Sequence, residues 1–197
     1  MEEANKQVKI EIFDRMEECT EQEVQRMLPL VSAQRREQAL RYKHVFGRFC
    51  CLKSWMMLKD LMNEGTSELM NEWKYNEYGK PSFHLSSLTS PLYFSISHCK
   101  AGIAVALDEK PIGIDIEAIR HADRELIART MNEEEQALIQ SDRDFTRLWT
   151  RKEAVVKAQG VGIESFEQLQ TLLSKCRDIE ISTYEHEKYI YSIAYGK

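Results

Sequence analysis

Paired cysteine spacings are missing from this sequence. Its cysteines number five, an odd count, and none belongs to a C-x-x-C pair of the kind that binds zinc or builds a disulfide framework. They are Cys19, Cys50, Cys51, Cys99 and Cys176. We therefore expect reduced thiols, which are typical of a cytoplasmic protein.

A membrane segment and a secretory leader are missing as well. No apolar run approaches the roughly 18 residues that a membrane-spanning helix needs. Met1-Glu2-Glu3 lacks the basic start and the apolar stretch of a leader peptide. These absences lead us to expect a soluble protein of the cytoplasm.

An excess of basic residues is also missing. The 27 Lys and Arg are outnumbered by 32 Asp and Glu, which gives a formal net charge of -5 at pH 7. General binding to nucleic acid needs a clustered basic surface, so nucleic acid is not an expected partner. An anionic ligand would have to be held by a local group of basic side chains.

The apolar positions that are present follow the periods of both strands and helices. Alternation predicts strands at Val8–Ile12, Trp73–Tyr75, Tyr93–Ser97, Gly102–Leu107, Ile112–Glu117, Ile179–Tyr184 and Lys188–Tyr195. Three- and four-residue steps with capping residues predict helices at Glu21–Leu28, Ser32–Met62, Ala122–Arg129, from Asn132 onward, and Asp144–Gln159. Gly47 is a candidate break in the second helix. Because strands and helices are mixed without a βαβ rhythm, we expect the α+β class.

Two acidic residues lie on one face of the predicted strand Ile112–Glu117. Alternation directs the isoleucines to one side and Gly113, Asp115 and Glu117 to the other, so the carboxylates stand about 7 Å apart along the backbone. Such like charges repel unless a cation lies between them, and magnesium prefers hard oxygen ligands. The alternative is a solvent-facing strand edge without a ligand.

The last predicted helix places Trp149, Glu153 and Lys157 along one row of i, i+4 positions. An acid and a base therefore share a face. A surface ion pair between Glu153 and Lys157, with Trp149 in the core, explains the same spacing.

Hydroxyl and imidazole groups lie at the end of the strand Phe94-Ser-Ile-Ser97-His98. Ser97 and His98 could each hold a phosphate oxygen. A structural role for this histidine is the alternative, and spacing alone assigns no Ser-His-acid triad. Lys80, in a glycine-containing turn, is unspecific when taken by itself.

Taken together, the order and spacing of four motifs resemble the Sfp-type 4'-phosphopantetheinyl transferase family. The motifs are Asn76-x-x-Gly79-Lys80-Pro81, Phe94-Ser-Ile-Ser97-His98, Gly113-Ile-Asp115-Ile-Glu117 and Trp149-x-x-Lys152-Glu153-Ala154-x-x-Lys157-x-x-Gly160-x-Gly162. Each is weak alone, but jointly they are specific and cover most of the chain. The resemblance implies a magnesium-dependent enzyme that transfers the 4'-phosphopantetheine arm of coenzyme A to a serine hydroxyl of an apo acyl or peptidyl carrier protein, releasing 3',5'-ADP.

The resemblance also implies an architecture. The family folds as two similar halves about a pseudo-twofold axis, with coenzyme A in the cleft between them, and 197 residues suffice for two such halves. We expect residues 1–108 to supply contacts to the coenzyme A phosphates. Residues 109–197 would contain the magnesium site and the catalytic helix. Two halves in one chain make a monomer the expected state.

Individual roles follow from the same resemblance. Asp115, Glu117 and Glu153 would hold a magnesium ion that also binds the coenzyme A pyrophosphate. Glu153 is the candidate general base, with a metal-bound water as the alternative, and Lys157 would offset charge on the phosphoryl oxygens. Contacts to the coenzyme A phosphates are expected from Lys80, Ser97, His98, Lys152 and Lys157.

Family members also carry basic residues early in the chain that reach the 3'-phosphate of coenzyme A. The corresponding stretch here is Arg35-Arg36-Glu37-Gln38-Ala39-Leu40-Arg41. Arg35 is the first candidate, and Arg41 and Arg48 are the next. Gln38 stands where relatives often have a second base, so fewer charged contacts are expected. Cys99 replaces the hydroxyl residue that usually follows Ser-His.

The stretch Ala118–Met131 corresponds to the region that faces the carrier protein in family members. Carriers present an acidic helix and this chain is acidic overall, so a local patch must provide the attraction. We expect Arg120 and Arg124 to steer the carrier, and Ile127 or Met131 to give an apolar contact. An ordinary amphipathic helix with a solvated basic face is the alternative.

Two other functions are compatible with parts of the sequence. One is a different magnesium-dependent enzyme acting on a nucleotide diphosphate, but the chain lacks a G-x-x-x-x-G-K-[ST] phosphate loop. The other is a non-catalytic coenzyme A or carrier-binding module of the same fold, against which the presence of three carboxylates and both lysines argues. The sequence does not specify which biosynthetic pathway the carrier serves.

Overall fold

The computed structural model describes residues 8–62, 73–77, 81–83, 91–162, 165–176 and 178–196. The strands are β1 (Lys9–Phe13), β2 (Trp73–Tyr75), β3 (Pro81–Phe83), β4 (Tyr93–Cys99), β5 (Gly102–Asp108), β6 (Ile112–Ala118), β7 (Ile179–Glu185) and β8 (Tyr189–Gly196). The helices are α1 (Glu21–Met27), α2 (Ala33–Leu40), α3 (Val45–Leu61), α4 (Arg124–Thr130), α5 (Glu133–Leu138), α6 (Asp142–Gln159) and α7 (Phe166–Lys175). This mixture of helices and antiparallel sheets confirms the predicted α+β class.

Several helix ends predicted from capping residues are confirmed. Thr20 accepts a hydrogen bond from the backbone N–H of Glu23 at the start of α1. Asn132 and Glu135 form a reciprocal capping box at the start of α5. Helix α6 ends at Gly160, whose φ of 71° lies in the left-handed region that favours glycine.

The helices differ from the sequence prediction in two places. The predicted helix Ser32–Met62 is two helices, α2 and α3, and the break falls at residues 41–44 rather than at Gly47. Gly47 lies inside α3, where a Cβ would come within 2.7 Å of Tyr42 Cδ1, so this glycine makes room for a tyrosine ring. Helix α7 was not predicted. Its N-cap is Ser165, whose side chain accepts a hydrogen bond from the backbone N–H of Gln168.

The first sheet lies between helix α3 and a second sheet. Its strands are antiparallel in the order β1-β5-β4. Residues Ile103, Val105 and Leu107 of β5 pack in one core with α3. Ala104 and Ala106 belong to a different core, shared with β6. The alternation along β5 therefore buries both faces of the first sheet.

The second sheet lies between the first sheet and helix α6. Its strands are antiparallel in the order β6-β8-β7, which confirms the predicted pairing of the last two strands. Ile112, Ile114 and Ile116 pack toward the first sheet. The opposite face packs on α6, where Ala194 of β8 joins a core with Ala154 and neighbouring helix residues.

Strand β6 and helix α6 touch through their backbones at Gly113. A Cβ at this position would lie 2.0 Å from the carbonyl oxygen of Ala154 and 2.4 Å from the backbone nitrogen of Ala158. No side-chain carbon can occupy such a space. Asp115 and Glu117 follow Gly113 on the same face of β6, so both carboxylates lie directly beyond the backbone contact.

The two sheets meet along their edge strands β4 and β6. The backbone N–H of Ile114 donates a hydrogen bond to Ser95 Oγ at 3.0 Å. The strands of the first sheet lie within residues 9–108 and those of the second within residues 112–196, while β2 and β3 pair as a separate two-stranded sheet. The predicted division into halves at residues 108 and 109, with a pseudo-twofold relation between them, stays a prediction.

Among the residues that the structure describes, no helix is both long enough and apolar enough to cross a membrane.

Candidate active site

A cavity of about 570 Å³ lies where β4, β6, α2, α3 and the last turns of α6 come together. Its walls include seven of the predicted site residues: Arg35, Ser97, His98, Asp115, Glu117, Glu153 and Lys157. Lys80 lies outside the described residues. Arg41 and Lys152 are described, but they do not line this cavity.

Asp115 is the most buried carboxylate of the cavity, with 3% of its surface exposed. Its Oδ1 accepts hydrogen bonds from Ser97 Oγ at 2.8 Å and from Lys157 Nζ at 2.6 Å. Lys157 Nζ also donates to Ser97 Oγ at 2.9 Å, which closes a three-membered network. Asp115 Oδ2 is buried and has no hydrogen-bond partner in the described part of the chain. A buried carboxylate oxygen in this state favours a further donor or a cation.

Glu117 and Glu153 face the same cavity and are both half-buried. Burial raises the pKa of each carboxyl, and the nearby charge of Asp115 raises both pKa values further. Lys157 and Arg120 act in the opposite direction on both groups. The cavity therefore concentrates negative charge that its two nearby cations only partly offset.

The three carboxylates are not already arranged as a finished metal site. Among the residues that the structure describes, no group of three or more His, Cys, Asp or Glu side chains is placed so that it could hold a metal ion. Lys157 occupies one oxygen of Asp115. The donor atoms suit a hard cation, but their present spacing does not enclose one.

His98 lies at the cavity wall next to Ser97. Its ring meets Phe46 edge-on, with 5.8 Å between ring centroids. The side chain stays exposed to solvent in the cavity. Desolvation by the surrounding protein lowers the pKa of His98, and the positive charge of Lys157 lowers it further. The neutral form of the imidazole is therefore favoured.

Arg35 of α2 also lines the cavity, and the protein holds its side chain firmly. Its Nε and Nη2 donate to the carbonyl oxygen of Cys51 at 3.0 and 2.6 Å, and Nη1 donates to Gln38 Oε1 at 2.8 Å. The guanidinium also lies 4.4 Å from the ring centroid of Trp55. Cation–π stacking and these hydrogen bonds fix this charge where it borders the cavity.

The other two arginine candidates for the 3'-phosphate lie elsewhere. Arg41 is exposed and pairs with Glu37 at 2.7 Å, one helical turn away. Arg48 pairs with Glu21 at 3.0 Å. Of the three candidates, only Arg35 lines the cavity.

The structure differs from the prediction that Lys152 contacts the coenzyme A phosphates. Its side chain is fully buried, and its Nζ donates to Glu135 Oε2, to the carbonyl of Thr130 and to the carbonyl of Leu169, at 2.6, 3.0 and 2.6 Å. These acceptors use all three N–H groups of an ammonium. Lys152 therefore joins α4, α5 and α7 to α6 and has no donor left for coenzyme A.

The predicted carrier-docking residues also need a correction. Met131 is fully buried in a core with Ala122 and Phe145, so it cannot touch a partner. Ile127 packs against the same core and is half-buried. Arg124 is exposed on α4, whereas Arg120 is half-buried against the rings of α6.

Sequence reasoning missed some residues of the cavity wall. Tyr42, Ser54 and Val161 line it, although no motif included them. Gly47 is the signal that could have pointed to Tyr42, because the tyrosine ring packs over this glycine of α3. Asn76 belongs to a predicted motif, and its Nδ2 donates to the carbonyl of Gly160 at 2.8 Å, which ties the residues after β2 to the end of α6.

Known proteins resemble this chain in sequence. Residues 111–194 match the 4'-phosphopantetheinyl transferase superfamily. The 4'-phosphopantetheinyl transferase AcpT of Salmonella typhi is 40% identical over 116 aligned residues, and the match covers 54% of this chain and 58% of AcpT. The 4'-phosphopantetheinyl transferase gsp of Aneurinibacillus migulanus is 30% identical over 175 residues, covering 80% of this chain and 71% of gsp. The 4'-phosphopantetheinyl transferase Sfp of Bacillus subtilis (strain 168) is 27% identical over 152 residues, covering 73% of this chain and 66% of Sfp.

The extent of these matches differs between relatives. The chain spans little more than half the length of AcpT. The match to gsp, in contrast, covers more than two thirds of both proteins. The chain therefore belongs to the 4'-phosphopantetheinyl transferase superfamily.

Proposed function

We propose that this protein is a magnesium-dependent 4'-phosphopantetheinyl transferase that modifies a serine of an apo acyl or peptidyl carrier protein. The observation that carries the proposal is that one cavity is lined by three carboxylates together with Lys157, Ser97, His98 and Arg35. Because they line one cavity, the acidic groups, which suit a cation, and the basic groups, which suit phosphates, can bind the same ligand. Coenzyme A has both a diphosphate and a 3'-phosphate, so it fits this distribution.

Coenzyme A would lie along the cavity with its phosphates on the basic groups. Arg35, held by Cys51 and Gln38, is the proposed contact for the 3'-phosphate. Ser97, His98 and Lys157 would contact the diphosphate. Lys80 stays a proposed phosphate contact on the family motif alone. The volume lies within the 300–1,000 Å³ of common small-molecule sites.

Asp115, Glu117 and Glu153 would hold the magnesium ion. The unpartnered buried Oδ2 of Asp115 and two carboxyls with raised pKa values fit a divalent cation, because such an ion supplies a partner and reduces the repulsion. When bound, magnesium would neutralise negative charge on the phosphoryl oxygens.

The reaction is a displacement at the β-phosphorus of coenzyme A. The carrier serine oxygen forms a bond to this phosphorus, the bond to the bridging oxygen breaks, and 3',5'-ADP leaves with that oxygen. Glu153 would accept the serine proton, and its raised pKa makes it a stronger base than an ordinary glutamate. Lys157 would stabilise negative charge as it develops on the phosphoryl group.

A transfer assay tests the proposal directly. The protein is incubated with coenzyme A, magnesium and each of several apo carrier proteins, and mass spectrometry follows the addition of phosphopantetheine. We expect addition to the carrier serine and release of 3',5'-ADP. Binding of coenzyme A without transfer to any carrier would favour the non-catalytic module instead.

Replacing Glu153 with glutamine tests the proposed base. We expect Glu153→Gln to lower kcat by about 10²–10⁴-fold, the usual contribution of general base catalysis, with a smaller change in the KM for coenzyme A. The Asp115→Asn protein serves as the comparison, because it removes a metal-ligand charge without removing the base. Near wild-type turnover of Glu153→Gln at saturating magnesium would show that another group accepts the proton.

The carrier would dock beside α4, where Arg124 and Arg129 are exposed next to the partly covered Ile127. Two arginines on one short helix offer an acidic helix a local attraction that the net charge of the chain does not. We propose that the enzyme acts as a monomer in the cytoplasm. Its described cysteines are all free thiols, which agrees with that compartment.

A further inference from the structure

Arg120 connects the end of β6 to helix α6 through both its main chain and its side chain. Its backbone N–H donates to Thr146 Oγ1 at 3.3 Å, and Thr146 is fully buried. Its guanidinium lies 4.9 Å from the ring centroid of Trp149 and 5.6 Å from that of Phe145. The two rings stack on each other with centroids 5.9 Å apart. Arg120 thus contacts two consecutive turns of α6.

The two elements that Arg120 connects contain all three carboxylates of the cavity. Glu117 lies three residues before Arg120 on β6, and Glu153 lies four residues after Trp149 on α6. Trp149 is itself part of the cavity wall, whereas Arg120 does not line the cavity. The guanidinium therefore lies behind the wall and contacts it from the protein side.

The charge of Arg120 acts on the carboxylates of Glu117 and Glu153. Its positive charge is close enough to Glu117 and Glu153 to interact electrostatically with both carboxylates. Its Nε is buried and has no hydrogen-bond partner among the described residues. A partly desolvated guanidinium with this surrounding is poorly placed to attract a partner through solvent. Arg124, exposed on α4, is better placed for that role.

We propose that Arg120 is a positioning residue, which holds Trp149 and sets Glu117 of β6 against Glu153 of α6. It is not a contact for the carrier protein. This inference rests on the proposed function, since the purpose of the arrangement is to place the carboxylates for phosphoryl transfer. The stack on Trp149 fixes geometry, and the charge offsets the mutual repulsion of the two glutamates.

A positioning role and a docking role change different kinetic constants. Loss of position affects the reaction of bound substrates and lowers kcat at any ionic strength, since a small misplacement of catalytic groups is costly. Loss of a steering charge raises the KM for the carrier, mainly at low salt, and leaves kcat unchanged.

The experiment compares Arg120→Met and Arg120→Lys with Arg124→Met as the matched control. At saturating coenzyme A and carrier, we expect Arg120→Met to lower kcat by at least about tenfold at both low and high salt. Arg120→Lys should recover part of this loss, because it keeps the charge but loses the planar stack. Arg124→Met should change only the KM for the carrier, and only at low salt. An unchanged kcat with a salt-dependent rise in carrier KM for Arg120→Met would overturn the inference.

A second readout does not depend on activity. Subtracting the emission of a matching Trp149→Phe protein isolates the fluorescence of Trp149 in each variant. We expect Trp149 to be more accessible to iodide quenching in Arg120→Met and unchanged in Arg124→Met. Equal quenching in all of these proteins would also overturn the inference. If the wild type transfers nothing to any carrier, the proposed function fails, and the quenching result still decides whether Arg120 holds Trp149.

Discussion

Two sides of helix α6 each contain a lysine paired with a carboxylate at the same distance. Lys152 Nζ lies 2.6 Å from Glu135 Oε2, and Lys157 Nζ lies 2.6 Å from Asp115 Oδ1. Lys152 has no exposed side-chain surface, and two backbone carbonyls complete its contacts. Lys157 is 28% exposed and borders the cavity. The two ion pairs thus have the same length, but the Lys152 pair is enclosed by protein and the Lys157 pair is open to a ligand in the cavity.

Removing the lysine of the closed pair should have the largest effect. Lys152→Met leaves the Glu135 carboxylate and two carbonyls buried without their partner. We expect a loss of about 3–5 kcal/mol in the free energy of unfolding, which is typical when one member of a buried pair is removed. Urea denaturation of the metal-free protein measures this loss.

The matched control for Lys152 is the double variant Lys152→Met, Glu135→Gln. It removes both charges, so it should be more stable than the single variant by a measurable margin. A stable Lys152→Met protein with a raised KM for coenzyme A would instead restore Lys152 as a phosphate contact.

Removing the lysine of the open pair should affect turnover more than folding. Lys157→Met takes a positive charge away from the developing phosphoryl charge. We expect kcat to fall by about 10²–10³-fold, as when one stabilising group of an active site is removed. The urea midpoint should change less than in Lys152→Met. A stability loss equal to that of Lys152→Met, with little change in kcat, would erase the distinction between the two sides of α6.

Arg35 is an intermediate case that sharpens the comparison. Like Lys152 it is buried and bound to protein acceptors, yet like Lys157 it borders the cavity. We expect Arg35→Ala to cost about 1.5–3 kcal/mol of binding free energy for coenzyme A but much less for dephospho-coenzyme A. The ratio of the two KM values is the measurement, because partial unfolding changes both alike. An unchanged ratio would place the 3'-phosphate on a different base.

The smallest effect concerns the affinity of the open site for a divalent ion alone. In Lys157→Met, no ammonium competes for Asp115 or repels the ion, so we expect Mn²⁺ to bind about tenfold more tightly, or about 1.4 kcal/mol. Electron paramagnetic resonance titration without coenzyme A measures the free Mn²⁺. Asp115→Asn is the control and should bind more weakly. Equal Mn²⁺ affinity in Lys157→Met and wild type would mean that the lysine does not occupy the ion's position.

Sequence periodicity predicted the residues that share a face of one element. Asp115 with Glu117, and Trp149 with Glu153 and Lys157, were grouped by strand and helix spacing, and the structure places both groups in the cavity wall. These groupings need only the local period of the backbone. The chemical roles assigned to them stay predictions.

Tertiary burial is what the sequence could not supply. Lys152 and Lys157 belong to one motif, and only the packing of α4, α5 and α7 separates a closed pair from an open one. Met131 resembled a surface contact on an amphipathic stretch, but the side of that stretch facing the core depends on α6. Arg120 resembled an exposed basic residue, because its packing on the rings of Phe145 and Trp149 depends on the position of α6.

The backbone contact at Gly113 gives the active site a particular tolerance to evolutionary change. Because main-chain atoms of β6 rest directly on main-chain atoms of α6, no side chain sets the separation of these two elements at that point. Apolar residues of the surrounding cores can therefore drift in size while the carboxylates on β6 keep their register with the acid and base on α6. Any residue larger than glycine at position 113 would push the strand from the helix. The smallest residue of the motif thus fixes the distance between β6 and α6 at the candidate site.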